Sequence, residues 1–177
     1  MAATDLSALH AAVRDVPDFP KPGILFKDIT PLLAKPDLTA LAINAMLEPF
    51  AGSQIDKVVG IDARGFIFGA MIAQKIGAGF VPIRKKGKLP WRTKGVDYSL
   101  EYGHSSVEMH EDALQPGERV LLADDLLATG GTAAAALELI AQSGATLVGS
   151  TFLIELTFLD GRCRLAHSPI VHCPLRY

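Results

Sequence analysis

Residues 119–132 read RVLLADDLLATGGT. An apolar run stops at two adjacent carboxylates, Asp124 and Asp125, and a Gly130–Gly131 turn flanked by Thr129 and Thr132 follows. The backbone N–H groups of a glycine-rich turn, together with the positive N-terminus of a following helix, favour an anion such as a phosphate. The two threonines add hydroxyl donors, and the glycines permit unusual φ values and close approach. Two carboxylates would repel that anion at contact distance; they make sense if they face another part of the same ligand, the alternative being a solvated turn with Gly130–Gly131 as a tight loop. Carboxylates accept hydrogen bonds from hydroxyls and can neighbour a bound Mg²⁺. The stretch therefore asks for a ligand with a phosphate at one end and vicinal hydroxyls close by, a shape that ribose 5-phosphate has. The common nucleotide loops fit worse: the chain has no G-x-x-x-x-G-K-[ST] and no G-x-G-x-x-G after a strand.

The elements that must position these residues show as a rhythm. KVVGI reads as a strand, DARG as a turn and FIFGAMIAQKIG as a helix; GFVPI is the next strand. RVLLA is a strand, DDLLATGG a loop, TAAAALELIAQSG a helix ending at Gly144, and TLVGSTFLIEL another strand. Short apolar or β-branched runs alternating with helices predict a mainly parallel sheet covered on both faces, an α/β class. In such sheets ligands sit beyond the carboxyl ends of the strands, which is where Asp124 and Asp125 fall.

The flanking segments are less regular. Residues 5–14 read as a short helix capped by Thr4 or Asp5, and Asp37 as the cap of a second helix with Leu38, Leu41, Ala42, Ala45 and Met46 on one face. Between them PDFPKPG removes donors and fixes φ, which excludes helix and sheet interior, and ILFKDITPLL reads as extended or loop. RKKGKLPWRTKGVDYSLEYGHSSVEMH begins as a basic stretch without helical or strand period, a long mobile loop, and continues as a hairpin of YSLEY and SSVEMH turning at Gly103. A single domain over residues 1–177 is expected, with 1–36 as an N-terminal segment and 85–110 as a flexible loop and hairpin.

Composition bounds the partners. The 177 residues are 49% apolar and 20% charged, with a net charge of −2, which is ordinary for a soluble globular chain. That balance gives no general attraction to nucleic acid or to an anionic membrane. No run approaches the ~18 apolar residues of a membrane span, and the first residues lack the basic-then-apolar pattern of a secretory signal. Cys163, Cys173, His167 and His172 are all ligand types, but His172 and Cys173 are adjacent and no short Cys-x₂₋₄-Cys pair exists, so two free thiols in a reducing cytoplasm are expected.

VLLADDLLATGGT resembles the signature of the type I phosphoribosyltransferases, which bind 5-phosphoribosyl-1-pyrophosphate. Ala123 stands where that family commonly has a larger aliphatic residue. DFPKPGILFKDITPLL, GIDARGFIFGAMIAQKIG, IRKKGKLP, YSLEYG and LIELTFLDGR are similar, in this order, to the adenine-specific branch of the family, over roughly residues 15–162. The resemblance implies transfer of a phosphoribosyl group to N9 of adenine, giving AMP and pyrophosphate with Mg²⁺. The metal would be bound mainly through substrate, and no protein ligand is assigned to it. It also implies a homodimer.

Carried over residue by residue, the resemblance gives the 5′-phosphate to Ala128, Thr129, Gly130, Gly131 and Thr132, and the ribose hydroxyls to Asp124 and Asp125. It gives pyrophosphate to the Asp62, Ala63, Arg64 turn, with a cis peptide expected at Asp62–Ala63, and to Arg84 and Lys88. Lys85 and Lys86 belong to the same basic run and read equally well as a solvated face. Phe26 would stack on adenine, Leu25 and Lys27 would read its edge through their backbones, and Leu156 would cover the opposite face. Lys27 stands where relatives often carry Arg, a change that a backbone contact tolerates. Glu101 would assist proton removal from adenine, with Tyr102 as a positioning group and Arg64 beside the leaving group. No Ser-His-Asp set or activated Cys is evident, which favours direct substitution at the anomeric carbon. Two other readings compete: a transferase for a 6-oxopurine, and a purine-responsive regulator that binds the ligand without turnover. The second would need an added nucleic-acid module, for which the chain has no spare length.

Overall fold

The structure, a computed structural model, describes residues 6–99 and 104–177. KVVGI forms β3 (Lys57–Ile61), in the middle of the main sheet. Parallel neighbours lie on both sides: β4 (Gly79–Lys85) and β7 (Arg119–Leu127). Outside β7 come β8 (Thr146–Glu155) and the short β10 (Leu175–Arg176), and β9 (Val171–His172) also pairs with β8, all parallel. Outside β4 the direction reverses, with β6 (His104–His110) and β5 (Thr93–Ser99) as an antiparallel pair.

Successive side chains of a strand point to opposite faces, so a strand covered on both faces must be apolar throughout. β3 shows the consequence. Val58 joins one core, with Phe68 and Ile72 of α4 (Gly65–Ile76) and Ala42 and Met46 of α3 (Pro36–Leu47). Its neighbour Val59 joins the opposite core, with Ala136, Leu139 and Ile140 of α5 (Gly131–Gln142). Phe68 is fully buried, and its truncation to Ala would cost roughly 3–5 kcal/mol.

The N-terminal part forms α1 (Ser7–Ala12), then β1 (Arg14–Pro17) and β2 (Leu25–Asp28) as a separate two-stranded antiparallel ribbon, then the single turn α2 (Thr30–Leu33). The prolines between β1 and β2 occupy the connection and the ribbon's end, which a ribbon with two free edges tolerates.

Several local expectations are corrected. The DDLLATGG stretch is not all loop, because β7 continues to Leu127. β8 runs as far as Glu155 and pairs Asp124 with Phe152 and Leu127 with Glu155, which keeps the acidic pair inside a strand. ILFKDITPLL holds a strand and a helical turn, since Asp28 accepts hydrogen bonds from both the backbone N–H and the hydroxyl of Thr30 and so turns the chain. The basic stretch is a shorter loop than expected: β5 starts at Thr93, paired with His110, so the hairpin is longer. Asp37 lies inside the first turn of α3, whose N-cap is Lys35 with Pro36 following. The N-cap of α1 is Leu6; Thr4 and Asp5 lie outside the described residues.

Candidate active site

Two strand-to-helix connections create the site, because β3 and β7 are adjacent and both end at the same edge of the sheet. After β3 the chain turns through Asp62, Ala63 and Arg64 into α4, and the Asp62–Ala63 peptide is cis. After β7 it turns through Ala128–Gly130 into α5. The two turns line one cavity of about 270 Å³, whose walls are Ile61–Arg64 and Asp124–Ala133. Of the expected site residues, Asp62, Ala63, Arg64, Asp124, Asp125 and Ala128 to Thr132 are thus brought together.

Close approach between the connections depends on Gly65. A Cβ there would lie 2.5 Å from Oδ1 of Asp124 and 3.2 Å from the Ala123 carbonyl, so a side chain would displace the Asp124 carboxylate and crowd β7. The turn after β7 depends on Gly130, which adopts φ +78° and lies against the backbone carbonyl of Gly161. Gly161 in turn sits against the Ala128 carbonyl and the Gly130 N–H, where no side chain fits. The turn that enters α5 at the cavity wall is therefore buttressed by backbone.

The charges are arranged in opposed pairs. Arg64 Nε is 2.8 Å from Oδ2 of Asp125, and Arg84 Nε donates to Oδ2 of Asp62 at 3.1 Å. Arg84 also donates through Nη1 to the Lys88 carbonyl at 2.9 Å, which ties the basic loop to the cis turn. Oδ1 of Asp124 accepts the N–H of Asp125 at 2.8 Å. Burial, and then the neighbouring Asp125 charge, push Asp124 well above the usual carboxylate range. Burial also raises Asp125, with Arg64 acting against the rise. The pair is thus poorly solvated and would gain from hydroxyl donors or a cation brought into contact with it.

The other expected residues lie around this cavity. The guanidinium of Arg64 lies 5.2 Å from the ring centroid of Phe26, linking the β1–β2 ribbon to the cavity. Leu25 is half-exposed, and the Lys27 ammonium binds Asp15 at 2.6 Å. Leu156 follows β8 and donates its N–H to the Leu127 carbonyl at 2.9 Å. Lys88 is exposed on the loop after β4. Glu101 and Tyr102 lie outside the described residues.

Three contributors do not declare themselves in the sequence. Thr132 donates its hydroxyl to Tyr98 at 3.1 Å, so β5 of the hairpin fixes a residue at the start of α5 in the cavity wall. Gly161 has its buttressing role. Glu155 and Arg162 form a two-bond pair, at 3.0 and 2.6 Å, that anchors the Gly161 segment to the end of β8. For the last two, the only signal is the acid of LIEL followed by the DGR turn in LIELTFLDGR.

The chain is similar to known proteins over nearly its whole length. The phosphoribosyl transferase domain matches residues 30–168. An adenine phosphoribosyltransferase of Acidothermus cellulolyticus is 57% identical over 171 residues, covering 96% of this chain and 97% of that protein. The crystal structure of adenine phosphoribosyltransferase from Rhodothermus marinus superposes with a TM-score of 0.93 at 58% identity, covering 97% of this chain and 98% of its own. That of the Saccharomyces cerevisiae enzyme, complexed with an imino-altritol bisphosphate and adenine, gives 0.89 at 42% identity, covering 95% and 97%.

Proposed function

This chain belongs to the phosphoribosyl transferase family, and from that premise we propose how its residues divide the work of an adenine phosphoribosyltransferase. The reaction moves the 5-phosphoribosyl group from 5-phosphoribosyl-1-pyrophosphate to N9 of adenine, giving AMP and pyrophosphate. The observation that carries the reading is the single cavity in which the Asp62–Arg64 turn faces Asp124, Asp125 and the Ala128–Thr132 turn.

The 5′-phosphate sits on the N–H groups of Ala128–Thr132 at the start of α5, with Thr129 and Thr132 as hydroxyl partners. Asp124 and Asp125 accept the ribose hydroxyls. Pyrophosphate takes Arg64 from its pair with Asp125 and approaches Arg84 and Lys88. Mg²⁺ would be held mainly through the oxygens of the substrate, with Asp124 and Asp125 as neighbouring carboxylates, an all-oxygen surrounding that suits an ion which keeps several waters and uses few protein carboxylates. When bound, the metal offsets charge on the leaving pyrophosphate.

Phe26 stacks on adenine, Leu25 and Lys27 present backbone groups to its edge, and Leu156 closes the other face. As the bond from the anomeric carbon to the pyrophosphate oxygen breaks, the bond to N9 forms, and Glu101 takes the N9 proton with Tyr102 holding it in place. Arg64 follows the charge onto pyrophosphate. Closure of the loop after β4 and its hairpin excludes the water that would otherwise compete for the ribosyl carbon. The protein works in the cytoplasm as a homodimer, with Cys163 and Cys173 as free thiols.

The test is nucleotide formation from Mg²⁺, 5-phosphoribosyl-1-pyrophosphate and each of adenine, hypoxanthine, guanine and xanthine. AMP from adenine alone is expected. Product only from an oxopurine overturns the roles of Leu25–Lys27, and no product from any base overturns the enzyme reading.

A further inference from the structure

We propose that Tyr177 is a positioning residue that sets the spacing between the two walls of the purine site, a role that rests on the reading of Leu25–Lys27 and Leu156 given above. One wall is on β2 and the other follows β8, and the two belong to different sheets, so the ladder hydrogen bonds of neither sheet fix their separation. Tyr177 touches both.

Its backbone is locked to the Leu156 side. The Tyr177 N–H donates to the Glu155 carbonyl at 3.0 Å, and its own carbonyl accepts from the Thr157 N–H at 2.8 Å and the Thr157 hydroxyl at 2.7 Å. These bonds bracket Leu156 on both sides. Its ring is locked to the β1–β2 side: the Lys27 ammonium sits 4.0 Å from the ring centroid. The Lys27 side chain is 10% exposed, so its ammonium needs partners, and it has two, the Asp15 carboxylate across the ribbon and the face of Tyr177. The far edge of the ring is held by His10 of α1, through an edge-on ring contact at 5.3 Å and a 3.2 Å hydrogen bond between Nδ1 and the phenol oxygen.

The arrangement acts on Lys27 through its side chain while leaving its backbone free to face a base. Loss of the ring lets the ribbon shift relative to Leu156. The consequence falls first on the base, because the phosphoribosyl cavity is lined by the β3 and β7 turns and meets the ribbon at its edge, where Arg64 lies by Phe26.

The experiment is steady-state kinetics of AMP formation with each substrate varied, for wild type, Tyr177→Leu, Tyr177→Phe and Lys27→Met. Tyr177→Leu raises KM for adenine roughly tenfold, the loss of one desolvated cation–π contact, and leaves KM for 5-phosphoribosyl-1-pyrophosphate in place. Tyr177→Phe, which keeps the ring face, recovers most of the loss. Lys27→Met, which keeps most of the length of the side chain and removes its charge, carries the same test should Tyr177→Leu fold poorly, and raises the adenine KM in the same selective way. An unchanged adenine KM in both Tyr177→Leu and Lys27→Met overturns the role, and so does an equal rise in both KM values. A wild-type protein that forms no AMP overturns the underlying reading instead.

Discussion

Arg64 and Asp125 form a 2.8 Å ion pair across the cleft between the turn after β3 and the end of β7. The pair closes the cavity on itself, and in the reading proposed above each partner is a group that the ligand uses: the guanidinium for pyrophosphate and the carboxylate for a ribose hydroxyl. Binding is therefore an exchange, in which the ligand replaces a charge-assisted contact that the protein already makes with itself.

In the proposed division of work, Arg64→Ala removes a donor that gains strength as charge moves onto the leaving group. Initial-rate measurements should show kcat/KM for 5-phosphoribosyl-1-pyrophosphate falling roughly 10²–10³-fold. Arg64→Lys should recover only part of it, since an ammonium lacks the planar fork. Equal rates for Ala and wild type would remove Arg64 from the pyrophosphate site.

Asp124 should trade stability for function. Its folded pKa is raised, first by burial and then by Asp125. From its ordinary value of 3.8 upward, the folded protein holds a proton that the unfolded chain has released, so stability falls as pH rises through that window. Asp124→Asn carries no such penalty and still offers an oxygen to the Asp125 N–H. Thermal unfolding of the ligand-free proteins at pH 7 should place Tm of the variant above wild type by at least about 2 °C, the shift that 1 kcal/mol makes in a domain of this size. The gap should close as pH approaches 4, while activity of the variant is lost at every pH.

Gly161→Ala tests the buttress. A Cβ at 161 would collide with the Ala128 carbonyl, so the anion turn must move. KM for 5-phosphoribosyl-1-pyrophosphate should rise at least about tenfold, the effect of a misplaced binding group, with little change in KM for adenine. A crystal structure of the variant would show the displacement at Ala128–Gly130.

The sheet was legible because strands buried on both faces leave unbroken apolar runs, as in KVVGI and RVLLA, and the acidic pair marks where such a run meets the ligand edge. The end of β7 was not legible: Asp124 and Asp125 look like loop residues until β8 is seen pairing with them through Glu155. Long-range pairing also hid the start of β5, because Gly95 and Asp97 are poor strand formers that only the β6 partner holds extended. At the site, residues that line the cavity, such as Asp124, Asp125 and Gly130, declared themselves by type. Those that hold them, such as Tyr98 behind Thr132 and Gly161 behind Gly130, did not, because their value lies in a neighbour distant in sequence.

The last expectation concerns Glu155, which is 4% exposed and shared by Arg162 and, at 3.2 Å, Arg176. The Arg162 hydrogen bonds hold its carboxyl below the usual range against the opposing effect of burial, and the adjacent Cys173 thiol is pushed up to about 12, by burial and then by the Glu155 charge, so it stays protonated. A depressed carboxyl pKa contributes stability that is present above the ordinary value of 4.5 and lost as pH falls through the folded value. Arg162→Met keeps the stem but leaves the buried carboxylate with only Arg176 and the Cys173 thiol among the described residues. At pH 7 the variant should lose about 1–3 kcal/mol of stability in urea unfolding, the cost of an under-satisfied buried charge. The difference should shrink below pH 4.5, where wild type loses the same contribution. Because Arg162 also anchors the Gly161 segment, KM for 5-phosphoribosyl-1-pyrophosphate should rise in parallel at neutral pH. A stability loss without that rise would separate the pair from the anion turn and leave Gly161 to act through its backbone contacts alone.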